Sequence, residues 1–170
     1  MPQRSLIPDP FRFASEGRSL SGEVMLADLL RLADVLAEQS GGLAYRVSGD
    51  VGIDRKSMLR LQVNGELALR CQRCLEPMVL PVAIDTLFEL VRPGQSIPDE
   101  ELEEDAYDAI EASADMDVLA LVEDEVVLAV PFAPRHEDCD APRPVGGAVK
   151  ESPFSKLSGL RKTDGSGEAR

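Results

Sequence analysis

Leu59-Arg60-Leu61-Gln62-Val63-Asn64-Gly65-Glu66-Leu67-Ala68-Leu69-Arg70-Cys71-Gln72-Arg73-Cys74-Leu75-Glu76-Pro77 reads as sheet rather than helix. Leu59, Leu61 and Val63 alternate with polar residues, and apolar positions resume over Glu66 to Leu69, which is the period of a strand. Asn64-Gly65 is a strong turn signal that also fits a bulge or a second hairpin. Beyond Pro77, Val79 to Val91 reads as a further strand with Pro81 near its start. Upstream, Ala44, Arg46, Ser48 and Asp50 alternate with Tyr45, Val47 and Val51 over part of another strand. Arg18 to Val24 fits a short one. Several neighbouring strands with short links predict an antiparallel sheet.

Two segments depart from the strand period. Leu26, Leu29, Leu30, Ala33, Leu36 and Ala37 follow helical spacing and predict a helix ending near Ser40-Gly41-Gly42, where glycine supplies the C-terminal cap. Asp117 is placed as the N-cap of a second helix, with Val118, Leu121, Val122, Val126 and Ala129 as its apolar stripe before Pro131. Val126 to Val130 is β-branched enough to be a buried strand, and the stripe favours helix. Residues 93–116 are polar and acidic and predict a long solvated loop, with Tyr107 to Ala112 returning as a short strand. The expected fold is therefore α+β: an antiparallel sheet, two main helices, a long acidic loop and a flexible C-terminal tail. Residues 1–17, Pro-rich and aperiodic, predict an extended lead-in. Residues 18–139 form the domain, and residues 140–170, rich in Pro, Gly and Ser, the tail.

The 170 residues suffice for one domain with a modest core or one domain plus tails. With 4% aromatics and no Trp, that core must be aliphatic. No run of about 18 apolar residues exists, and Met1 to Pro8 has no apolar stretch of signal-peptide length, so a cytoplasmic protein away from membranes is expected. The formal net charge of −13 is unevenly spread. Residues 93–134 hold 13 acids and no Lys or Arg, whereas residues 1–92 hold 12 acids against 11 bases and residues 135–170 hold 6 against 7. Such a chain repels phosphate backbones at long range, which disfavours tight non-specific RNA binding. Arg55, Lys56, Arg60, Arg70 and Arg73 lie in the predicted sheet and would form either a local RNA-facing patch or scattered surface charge. No aromatics are interleaved with them for base stacking.

Cys71-Gln72-Arg73-Cys74 has the spacing of half a zinc knuckle. The only histidine, His136, stands three residues before the last cysteine, Cys139, so the four residues make a Cys3His donor set for one structural zinc ion. Three thiolates on Zn²⁺ leave a charge near −1, which Arg70, Arg73 and Arg135 would balance. The gap between Cys74 and His136 is much longer than in compact zinc fingers, so three free thiols and a surface histidine remain the plain alternative. An odd cysteine count argues against a disulfide framework and for a reducing compartment. A redox CxxC needs a helix N-terminus behind it to lower the thiol pKa, and here the context is strand, turn, strand. Nothing else suggests catalysis: there is no phosphate-binding glycine loop, no nucleophile elbow and no second histidine.

Leu69 to Pro77 resembles the central cysteine motif of the YceD-like large ribosomal RNA subunit accumulation family. Asp117 to Pro131 resembles its second signature, and Pro134-Arg135-His136 through Cys139 follows in the expected order. Ser152-Pro153-Phe154-Ser155-Lys156-Leu157, ahead of Arg161-Lys162, resembles the closing motif, although the family usually has Asn before the Pro. The resemblance spans about residues 65–162. It implies a non-enzymatic ribosome-assembly factor supporting synthesis, processing or stability of the large-subunit (23S) ribosomal RNA. It also carries over Cys71, Cys74, His136 and Cys139 as metal ligands. Its partner would be large-subunit precursor rRNA or a basic ribosomal protein, and direct RNA contact does not follow from the resemblance. The rival functions are an acidic escort for a basic ribosomal protein and, further off, a thiol oxidoreductase using Cys71 and Cys74.

Overall fold

The computed structural model describes residues 5–52, 55–95 and 107–142. The expected closing motif, nearly all of the expected flexible tail and residues 96–106 of the acidic loop lie outside the described residues. In chain order the elements are β1 (Leu6–Ile7), α1 (Pro10–Ser15), β2 (Ser19–Met25), β3 (Gly42–Val51), β4 (Ser57–Arg70), β5 (Pro77–Val91), β6 (Asp108–Glu111), β7 (Met116–Asp117) and α2 (Val118–Ala129). The α+β class is as expected. Five strands form one sheet in the order β2-β3-β4-β5-β6, and β1 pairs with β7 in a two-stranded ribbon.

Alternation decides which face is buried. Leu59, Leu61, Val63, Leu67 and Leu69 of β4 are all fully buried, as are Leu43 and Val47 of β3. The period of two runs unbroken through Gly65, so Asn64-Gly65 is neither turn nor hairpin: β4 pairs continuously with β5 from Met58 to Arg70. A Cβ at position 65 would come 2.5 Å from Leu43 Cδ2, so glycine there makes room for a core leucine on the neighbouring strand. α2 packs on β4 and β5, and α1 on β3 and β4. Their buried side chains join the same core as the inward face of the sheet. Among the described residues, Pro81 sits where β5 has β4 as its only neighbour, so its missing N–H interrupts no second ladder there.

Three expectations change. The sheet is antiparallel except for β6, which lies parallel to β5. Residues 5–17 of the expected lead-in are not simply extended: Asp9 caps α1 by accepting from the Arg12 N–H at 2.9 Å, Pro10 occupies its first turn, and Phe13 and Ala14 are buried. The helix expected from Leu26 to Ser40 is absent. Two 3-10 turns, Leu26–Asp28 and Leu30–Leu32, bury Leu26, Leu29 and Leu32 at three-residue spacing. The chain then reaches the edge of β4, where the Ala37 N–H donates to the Ala68 carbonyl at 2.7 Å and Leu36 bridges to Leu69. β3 pairs with β4 only up to Asn64, which leaves that edge open, and a straight helix could not satisfy it.

α2 is helix, as the stripe predicts. Asp117 Oδ1 accepts from the Leu119 and Ala120 N–H groups at 3.0 and 3.3 Å. Val118, Val122 and Val126 are fully buried. The helix stops before Pro131, with the Val130 N–H donating back to the Val126 and Val127 carbonyls.

Candidate metal centre

Cys71 follows the last residue of β4, and Cys74 lies in the six-residue turn that leads into β5 at Pro77. The turn is tied by the Leu75 N–H to the Cys71 carbonyl and the Cys71 N–H to the Glu76 carbonyl, both at 3.0 Å. Leu75 holds φ +68°, a left-handed conformation that costs a leucine energy and that the closing turn imposes. His136 and Cys139 come from the stretch after α2. The Gln72 N–H donates to the Pro134 carbonyl at 2.8 Å, and Arg73 Nη1 donates to the Cys139 carbonyl at 3.0 Å. Two backbone-directed bonds thus clasp the segments together independently of any thiol.

The result is a compact donor set. Cys71 Sγ lies 3.7 Å from Cys139 Sγ, and Cys74 Sγ lies 3.4 Å from His136 Nδ1. The donor atoms of Cys71, Cys74, His136 and Cys139 all fall within 4.8 Å of one another. Bonds of about 2.3 Å to sulfur and 2.0–2.1 Å to nitrogen around a tetrahedral ion require edges of roughly 3.5–3.8 Å, so the spacing is compatible with one metal ion. Cys71 is buried and the other three are half-buried. Burial pushes the Cys71 thiol up, but backbone N–H groups of Cys74, Arg73 and His136 outweigh it and bring the thiol down to about 5. Burial also raises Cys139, and its contacts with the Cys71 and Cys74 sulfurs add to the rise. A cation held between these sulfurs would favour the thiolate form of each.

All four residues singled out in the sequence therefore meet at one point. The CxxC sits in a strand-to-strand turn and no helix begins behind it, so it lacks the dipole that a redox pair uses. The five basic residues do not gather. Lys56 bonds Glu89 Oε2 at 2.9 Å and the Tyr107 hydroxyl at 3.0 Å, and Arg60 grips Asp85 with two bonds of 2.6 and 3.0 Å. Lys56 and Arg60 border a cavity of about 510 Å³. Arg70 and Arg73 stand at the other end of β4, with Arg70 roughly 30 Å from Arg60 at strand rise. The Gln72–Pro134 and Arg73–Cys139 clasps were not legible beforehand, since a backbone carbonyl as partner leaves no residue-type signal.

Residues 59–161 match the family described as Large ribosomal RNA subunit accumulation protein YceD, which is more than half of the chain. A curated relative from Haemophilus influenzae with that same name is 28% identical over 169 residues, covering 92% of this chain and 95% of the relative. No solved structure matches the chain. With its cysteine turn, its second helix and the segment carrying His136 and Cys139 all inside the matched region, the chain belongs to the YceD family of large ribosomal RNA subunit accumulation proteins.

Proposed function

We propose that this protein is a non-enzymatic accessory factor for the synthesis, processing or stability of large-subunit ribosomal RNA, working in the cytoplasm, and that Cys71, Cys74, His136 and Cys139 hold one structural zinc ion. The observation that supports it most is the convergence of four soft donors, drawn from two distant segments, within 4.8 Å of one another inside a chain of this family. Three thiolates and an imidazole suit zinc, and four protein ligands leave no open position for a reactive water, so the ion's work is architectural. It would lock the β4–β5 turn to the exit of α2. Among the described residues, no helix is long and apolar enough to cross a membrane.

The test is the ratio of large- to small-subunit RNA in a deletion strain. A lowered ratio, restored by the wild-type chain and only weakly by Cys74→Ser, is the expected result. An unchanged ratio where the protein is normally expressed would count against the role.

A further inference from the structure

We propose that the outer side of α2 and the chain leaving it form a docking surface for a basic polypeptide that carries apolar side chains, a partner class that rests on the ribosome-assembly reading above. The three most exposed large apolar side chains among the described residues are Phe132 at 106%, Leu128 at 78% and Leu30 at 76%. Single exposed leucines are ordinary, but these three are tied to one element. Leu128 shares the solvent-facing stripe of α2 with Ala120 and Asp124 at four-residue spacing. Leu30 is brought to the same helix by its neighbour Arg31, whose N–H donates to Glu123 Oε1 at 2.8 Å and whose guanidinium pairs with Asp124. Phe132 stands three residues past the helix end, two residues before the Pro134 carbonyl that Gln72 holds. It is therefore anchored on both sides and not a loose end. None of the three contributes to the core, so folding does not account for them.

Charge selects the occupant. Residues 117–140 contain seven Asp or Glu and a single Arg; Asp117 caps α2, Glu123 and Asp124 hold Arg31 and Glu125 accepts from the Thr86 hydroxyl, which leaves Glu137, Asp138 and Asp140. Glu137, Asp138 and Asp140 are exposed and form no salt bridge among the described residues. These three carboxylates, five to eight residues past Phe132 in the chain, attract Lys and Arg, and an incoming guanidinium gains further from the Phe132 ring face. The same carboxylates repel RNA phosphates, although a bare Phe ring by itself would stack on a base.

The full chain, immobilised, is offered separately the protein fraction of purified large ribosomal subunits, that of small subunits, and naked large-subunit RNA. The comparison is with the Leu128→Ser/Phe132→Ser double variant, whose melting temperature should match wild type because both positions are exposed. Wild type is expected to retain one or a few basic proteins of the large subunit, with direct binding reproduced by each purified protein alone. The double variant should bind about tenfold more weakly or worse. Equal retention by both chains, or no retention at all, overturns the proposal. RNA retained by wild type and lost by the variant also overturns it, and makes Phe132 a base-stacking residue instead. Equal capture of small-subunit proteins, lost in the double variant, leaves the surface standing and sinks the large-subunit reading. Rescue of the RNA ratio in a deletion strain by the double variant does the reverse.

Discussion

Cys74 is half-buried in a turn, whereas Cys71 is fully buried at the end of β4, so the two report different things when replaced. Cys74→Ser removes a soft ligand with little loss of packing. Purified wild-type protein is expected to carry about one zinc per chain, by the ligand count, and Cys74→Ser to lose most of it. Chelation should lower the melting temperature, because the unfolded chain has no preformed site. The stabilisation lost is about 2.7 kcal/mol when free zinc had stood a hundredfold above Kd, or roughly 5–10 °C for a chain of this size. Metal-free protein with an unchanged melt in the variant would return the four residues to plain thiols and a histidine. In the core, Leu61 is fully buried on β4, and Leu61→Ala should cost about 2–5 kcal/mol by chemical denaturation. Leu128→Ala, on the solvent side of α2, should stay within about 0.5 kcal/mol of wild type.

At the level of elements, the caps and close approaches set the boundaries. Asp117 satisfies two N–H groups at the start of α2, and Asp117→Ala should cost about 1 kcal/mol, seen as a lowered denaturation midpoint at constant slope. α1 rests directly on β3 at Gly49, where a Cβ would come within 2.5 Å of the Ala14 Cα and 2.7 Å of the Phe13 carbonyl. Those are backbone atoms and cannot rotate away. Gly49→Ala is therefore expected to push α1 off the sheet at a cost of about 1–3 kcal/mol, with faster amide exchange confined to residues near Phe13 and Ala14. Exchange unchanged there would mean that the helix docks elsewhere in solution. β5 has a different weakness. Its edge from Pro77 to Leu87 has no second neighbour among the described residues, and Pro81 and Asp85 blunt it against pairing with another chain.

For the whole molecule, charge governs encounter. A net charge of −13 opposes RNA, and the arginines and lysine that could offset it are split between the two ends of β4, two of them paired with Glu89 and Asp85. Affinity for naked RNA is therefore expected to be weak and to fall further as salt rises, measured by fluorescence anisotropy across a salt series. Tight binding that ignores salt would contradict this. A second charge-bearing surface, acidic and apolar around α2, then becomes the more favourable place for a partner.

The sequence by itself determined the sheet, α2 with its cap, and the identity of the four donor residues. Each is written locally, as a period of two, as an Asp before an apolar stripe, or as residue types that have few other uses together. Asp9-Pro10 was an equally local signal for α1, hidden by the Pro-rich surroundings. Three things were decided only by tertiary structure. Leu26 to Ala37 has helical spacing, yet it abandons the helix because the open edge of β4 offers backbone partners at Ala68 and Leu69 that an isolated helix would leave unmet. Asn64-Gly65 looks like a turn, yet it runs straight because Leu43 fills the space that glycine leaves. Cys74 and His136 stand 62 residues apart, and their meeting depends on α2 packing across β4 and β5 so that its exit lands on the cysteine turn. Local pattern fixes what a segment can do, but long-range hydrogen bonds and core packing decide which of those options the folded chain takes.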